Sequence, residues 1–398
     1  FSATVGSANP ANQIVSILNS GSGTLDYTLS DDASWLTVVP AYGQAPQDHT
    51  LSVDVAGLGA GAYAAKITIT DPEASNNPVR IPVTLTISSA PPPPPLSEWV
   101  TRYDAPLHAG PNAMEAMAVD SSGCTYVTGS VRPSGPPAPP YDFDYLTAKI
   151  DASGNVLWAV TYDYDPVNTN DRDLAHAIAV DSSGNVIVTG QSLGDMCTIK
   201  YSASGIKLWE ARYNGDPAGS SDEALAVAVD SVGNIYVTGQ GYRDGGENDI
   251  VTIKYDPSGS ETWVRRYEES LRDQPRGIAV DGSGNVYVTG RTESSSGFHM
   301  ITMSYDASGG FRWDDIVSKD GDYDVEPNAI VLGPDGNPVV TGYEEDLVDD
   351  VLQKKIIAVK YGAPTGSRLW MSVHEAEPGE ANAVAVMPDG TVYVAGYR

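Results

Sequence analysis

Six ungapped segments of the chain are near-copies of one another: AMAVDSSGCTYVTG (116–129), AIAVDSSGNVIVTG (177–190), AVAVDSVGNIYVTG (226–239), GIAVDGSGNVYVTG (277–290), AIVLGPDGNPVVTG (329–342) and AVAVMPDGTVYVAG (383–396). Their final glycines are 61, 49, 51, 52 and 54 residues apart. A unit of that size cannot bury its apolar face alone, so consecutive copies must stack. Each copy reads as two short strands, with apolar and polar residues alternating on both sides of a turn. Between copies come a third strand, such as DIVTIKYD (249–256), and a fourth bearing a tryptophan, at 99, 158, 209, 263, 313 and 370. Four short strands per period predict the blades of a β-propeller.

The recurring Asp120, Asp181, Asp230 and Asp281 invite a catalytic reading, but the fifth and sixth copies put Gly333 and Met387 there. Pro334-Asp335-Gly336 and Pro388-Asp389-Gly390 then supply the turn. What persists is turn chemistry: an Asp accepting nearby backbone N–H groups, or a Pro-Asp-Gly run. The tryptophans are expected to pack between neighbouring sheets. Their surroundings, as in YDASGGFRW (305–313), resemble the tryptophan-docking motif of quinone-dependent dehydrogenase propellers, which joins blades and does not hold the cofactor. The "VDSSGNVYVTG" and "TIKYDxxGxxxW" wording resembles the SBBP bacterial β-propeller repeats over 96–398. That resemblance implies an extracellular or cell-surface propeller without an assigned biochemical activity.

Pro91 to Pro95 interrupt the chain with a run that favours a stiff polyproline II spacer. Ahead of it, short alternating runs such as 64–71 and 79–88 predict about seven strands of a small sandwich. NSGSGTLDYTLS (19–30), SWLTVVPAYG (34–43) and GLGAGAYAAKITIT (57–70) resemble the BACON immunoglobulin-like domains, named for a proposed glycan-binding role. Trp35 is read as a core residue. The expected architecture is all-β: an immunoglobulin-like sandwich over 1–89, a polyproline linker over 90–96, and a six-bladed propeller over 97–398.

Charge narrows the partners. Lys plus Arg number 23 against 52 Asp plus Glu, a formal charge of −29, which repels phosphate backbones and anionic lipid. Nucleic acid is therefore not expected as a partner, and no apolar run is long enough for membrane insertion. Two cysteines fit neither a disulfide scaffold nor metal-ligand spacing: Cys197 falls at an apolar repeat position and Cys124 replaces a turn Asn. Nucleophile elbows, phosphate loops and His-Glu-x-x-His are absent from the sequence, and His108, His176, His299 and His374 share no repeat position. No enzyme activity is expected.

The uniform first-to-second and third-to-fourth strand turns belong on one rim, and the variable connections on the other, where binding is expected. Two acidic groups on that second rim are candidate Ca²⁺ ligands: Asp320, Asp322, Asp324 and Glu326, and Asp163, Asp165, Asn168, Asn170 and Asp171. Neither completes an EF-hand loop, and solvated acidic loops are the alternative. Strand counting gives 23 where six closed blades need 24; the absentee is a third strand next to Tyr393, with the Trp99 strand as its other neighbour. Either the native polypeptide continues past Arg398, or another subunit donates the strand, with Phe1 to Gly6 as one candidate donor. The expected function is that of a secreted structural or adhesive protein, self-associating and filament-forming. Surface-glycan binding is the alternative.

Overall fold

The computed structural model describes residues 1–4, 8–88, 113–132, 142–165, 172–215, 221–243, 247–268, 272–295, 297–319, 321, 323–348, 351–374 and 378–397. Every regular element among them is a β-strand, so none is a helix able to cross a membrane. The chain divides into two compact units, Phe1–Glu98 and Trp99–Arg398.

In the first unit, two sheets enclose one apolar core. The five-stranded sheet runs Ser2–Thr4, Val79–Ser88, Gly61–Thr70, Asp26–Asp31, Tyr42–Gln44; the three-stranded sheet runs Gln13–Ile17, Gln47–Val53, Leu36–Val39. Alternation decides which face is buried: in Val79–Ser88 the residues Val83, Leu85 and Ile87 point inward and their neighbours outward. Trp35 packs against this core, edge-on to Tyr63 with ring centroids 6.4 Å apart. His49 is fully buried, held between the Tyr27 hydroxyl at 2.7 Å and the Pro40 carbonyl at 2.6 Å.

The second unit repeats one antiparallel sheet. Module I comprises Ala113–Val119, Thr125–Val131, Asp144–Ile150 and Val156–Tyr162; module II, Asp173–Val180, Val186–Ser192, Asp195–Tyr201 and Lys207–Tyr213. Module III comprises Glu223–Val229, Ile235–Arg243, Glu247–Tyr255 and Glu261–Tyr267; module IV, Asp273–Val280, Val286–Ser294, Gly297–Tyr305 and Phe311–Val317. Module V comprises Val325–Leu332, Pro338–Val348, Val351–Tyr361 and Arg368–Val373, and module VI holds Glu380–Val386 and Val392–Tyr397 among the described residues. Strands follow chain order across each sheet, and the first strand of every module touches the first strand of the next.

The glycine closing each sequence copy has a steric reason. The first strand carries a bulge at Glu115, His176, Leu225, Arg276, Asn328 or Asn382. It drives a carbonyl against the second strand: a Cβ on Gly190 would stand 1.9 Å from the Leu174 oxygen, and one on Gly342 1.9 Å from that of Glu326. Only glycine fits there.

The turn aspartates are structural in every module that carries them. Asp181 Oδ1 accepts the backbone N–H groups of Ser183 and Asn185 at 2.9 Å, and its other oxygen meets Lys200 Nζ, also at 2.9 Å. Asp120 is held down to about 2, foremost by the Ser122 hydroxyl and then, against opposing burial, by Tyr126 and the N–H groups of Cys124 and Ser122.

Tryptophan joins one sheet to the next. The indole N–H groups of Trp158, Trp209, Trp263 and Trp313 donate to the carbonyls of Ala203, Pro257, Ala307 and Ala363, each in the third-to-fourth strand turn of the following module, at 2.9–3.3 Å. Each ring lies on a glycine of that turn: a Cβ on Gly205, Gly259, Gly309 or Gly366 would come within 2.5–2.9 Å of it. Trp313 also stacks on Tyr361 of module V at 5.8 Å. Trp313 is 6% exposed and Trp370, the same residue of module V, 37%.

Two outcomes follow. Trp313→Ala is expected to destabilise the second unit by about 3–5 kcal/mol and Trp370→Ala by far less, read by denaturant unfolding. Because the folded value of Asp120 lies below its ordinary 3.8, its contribution is complete above that pH and is lost as pH falls toward about 2. Asp120→Asn is expected to flatten that part of an acid-unfolding curve.

Candidate functional site

On the rim of variable connections, in modules III to VI, the residue two before the bulge faces the residue just after the obligatory glycine. The cross-strand pairs are Glu223–Gln240, Gln274–Arg291, Glu326–Tyr343 and Glu380–Tyr397. Being long and polar, these side chains reach beyond their own sheet and form a belt across module boundaries.

Each of the four boundaries from module II to module VI is fastened by different chemistry. Between II and III, His176 Nε2 lies 2.8 Å from Glu223 Oε1, an interaction that holds the Glu223 carboxyl below its ordinary range. Between IV and V, Glu326 is 5% exposed and receives Arg291 at 2.9 Å and Arg276 at 3.2 Å. Between V and VI, Glu380 receives Lys354 at 2.9 Å and Asn328 at 3.1 Å. The III–IV boundary uses neutral amides: Gln274 Nε2 donates to Gln240 Oε1 at 2.9 Å, and Gln240 Nε2 donates to Glu223 at 2.7 Å.

A cavity of about 400 Å³ opens at that amide boundary. Gln240, Asn248 and Gln274 line it, flanked by Tyr242 and Phe298, with Arg272 and Arg291 at its edge. Arg291 lies over the Phe298 ring at 4.2 Å, which fixes both side chains. Asp222, fully buried, accepts the N–H of Gly215 at 2.6 Å and of Tyr242 at 2.8 Å, anchoring one wall. Burial raises the Asp222 carboxyl above its ordinary range.

The residues expected to bind Ca²⁺ fall differently. Asp320, Asp322, Asn168, Asn170 and Asp171 lie outside the described residues. Asp324 accepts the Phe298 N–H at 2.8 Å, and both oxygens of Glu326 are engaged by arginines, which removes Glu326 from the proposed ligand set. Asp163 and Asp165 are described, but among the described residues no three acidic, His or Cys side chains gather as a metal site. Phe1 is engaged in its own sheet: its ammonium donates to Thr84 at 2.9 Å, its carbonyl accepts the Thr86 N–H at 3.1 Å, and Ser2–Thr4 pairs parallel with Val79–Ser88. Trp99 is outside the described residues, and Tyr393 is 60% exposed.

Sequence reasoning missed the belt. Its signal was present as charged or amide residues three before the last four copies, such as Glu223 and Gln274, and one after some of them, such as Gln240 and Arg291, but these positions vary from copy to copy. The buried Asp173, Asp222 and Asp273, one residue earlier, were a legible series within the chain.

Residues 262–298 match the family described as SBBP, beta-propeller repeat. The matched stretch begins in the fourth strand of module III and ends in the third strand of module IV, so it spans the sheet boundary that Trp263 fastens. The five four-stranded sheets are consistent with propeller blades. Among solved structures, a protein of unknown function from Bacteroides caccae is similar at 13% identity and a TM-score of 0.40, covering 63% of this chain and 78% of that one. Sqt1 from Chaetomium thermophilum is similar at 13% identity and a TM-score of 0.44, covering 70% of this chain and 64% of that one. No curated protein matches the chain.

Glu326→Gln removes the charge that two guanidinium groups share at a buried position. It is expected to cost about 2–3 kcal/mol of second-unit stability, measured by denaturant titration.

Proposed function

We propose that this is a non-catalytic structural or adhesive protein of the bacterial cell exterior that self-associates by strand addition to module VI. In this reading the first unit is an immunoglobulin-like sandwich and the second a six-bladed propeller. The observation that carries it is a break in burial along one repeat position. Tyr126, Ile187, Tyr236, Tyr287 and Val339 are all 0% exposed, whereas Tyr393 is 60% exposed. One residue on, Val188, Val237, Val288 and Val340 are fully buried and Val394 is 37% exposed. Trp370 is exposed too, at the position whose counterparts dock on a following third-to-fourth strand turn.

A sheet edge with a bare apolar face favours pairing with another strand. With Ser2–Thr4 bonded in its own sheet, the donor in this reading is a different segment of a second copy. Contacts of this head-to-tail kind build open filaments unless they close into a ring. The strongly acidic surface suits a protein that assembles only through such a specific edge.

Light scattering across a range of concentrations, with negative-stain imaging, tests the proposal. Concentration-dependent oligomers or filaments are expected, and Val394→Lys, which places a charge beside the edge, is expected to leave monomers. A particle that stays monomeric at every concentration overturns it.

A further inference from the structure

The III–IV boundary differs from the other three in the belt because uncharged amides close it, and a cavity of about 400 Å³ stands over it. We propose that this cavity is a binding site for a neutral, hydroxyl-rich saccharide segment. The proposal is independent of strand addition at module VI, which lies two boundaries away in the chain.

The polar groups suit sugar hydroxyls. Gln240 is held by its neighbours: its carbonyl accepts from Gln274 and from Asn248 at 3.3 Å, and one N–H of its amide donates to Glu223. Gln274 and Asn248 are thereby fixed by one N–H each, and each keeps a carbonyl oxygen and a second N–H for a ligand. An amide presenting donor and acceptor side by side matches vicinal hydroxyls, which also donate and accept. Because the two side chains are held by Gln240, little rotamer freedom remains to be lost on binding.

Tyr242 and Phe298 supply the apolar walls that a pyranose ring needs for its C–H faces. Phe298 is further immobilised by the Arg291 guanidinium over its ring and by the Asp324 carboxylate, which accepts its backbone N–H. Five of the surrounding residues, Tyr242, Asn248, Arg272, Phe298 and Ser221, come from connections or strand ends on the variable rim. That is where ligand contacts can change without disturbing the sheets.

Charge selects a neutral ligand. Arg291 at 2.9 Å and Arg276 at 3.2 Å share Glu326; Glu223, which accepts from Gln240, adds a second negative charge; and the formal charge of Arg272 is matched by that of the adjacent Asp273. The local balance is therefore near zero within a chain of net charge −29, so a polyanion gains no compensating field here and meets repulsion from the rest of the surface.

Isothermal titration of the full chain with a panel of neutral oligosaccharides (β-glucan, α-glucan, mannan and xylan hexamers) tests the site against oligogalacturonate at physiological salt. Saturable binding of at least one neutral member is expected, with oligogalacturonate weaker. Gln274→Ala and Asn248→Ala are each expected to weaken binding about tenfold, roughly the cost of losing a hydrogen-bonding amide. Val394→Lys, at the module VI edge, is expected to leave the affinity unchanged. Thermal unfolding of each variant verifies that the sheets remain intact, and Asn248→Asp, which keeps the shape and adds a charge, serves where an alanine variant fails to fold and is expected to weaken binding as well. The absence of binding by every neutral member at millimolar concentration, tighter binding of oligogalacturonate, or undiminished affinity in the amide variants overturns the proposal.

Discussion

The indole of one sheet resting on the glycine turn of the next is the contact on which the second unit depends. A four-stranded sheet of some fifty residues has two apolar faces and too little chain to cover either. Burying those faces requires neighbours at a fixed distance and angle, and a large ring with one polar atom sets both. The ring fills the space above the turn, where a side chain at Gly309 or Gly366 would collide with it, and the N–H selects one carbonyl. Four boundaries in a row repeat this geometry, while the exposed Trp370 marks a fifth boundary where the described residues supply no such seat.

The polar belt adds what a repeated contact cannot. Identical tryptophan contacts would allow any module to follow any other, because each interface is the same. Histidine with glutamate, amide with amide, two arginines with glutamate, and lysine plus asparagine with glutamate make the boundaries from II–III to V–VI distinguishable. A misplaced module would leave a carboxylate such as Glu326 buried without its cations, which costs more than the pair itself gains. The amide boundary is the one in the belt closed by uncharged side chains, and the cavity stands there.

The thiols and histidines fit the same frame. Cys197 is fully buried, and desolvation lifts its thiol to about 12, so it behaves as an apolar core residue. His176 serves the belt and His49 a buried hydrogen-bond bridge in the first unit. Residue types that invite catalytic readings are thus engaged in joining strands and sheets.

What the sequence by itself determined was everything carried by periodicity. The strand order within each module, the turn role of Asp120 and its counterparts, the interfacial tryptophans and the apolar place of Cys197 repeat every fifty or so residues, and repetition separates a structural demand from an accident. The tertiary structure decided what lies between copies. Glu326 reads as a metal ligand beside Asp320, Asp322 and Asp324, yet packing of module V on module IV carries it to Arg291, 35 residues away, and to Arg276, 50 residues away. Phe1 reads as the start of a candidate donor strand, yet it is tied by backbone hydrogen bonds to Thr84 and Thr86 of its own unit. The amide cavity likewise draws on residues of two modules: Gln240 and Arg291 hold the same repeat position 51 residues apart, but the residue type there changes from module to module. Such neighbourhoods depend on how strands pair and sheets stack, and spacing along the chain marks the positions without saying which side chains meet.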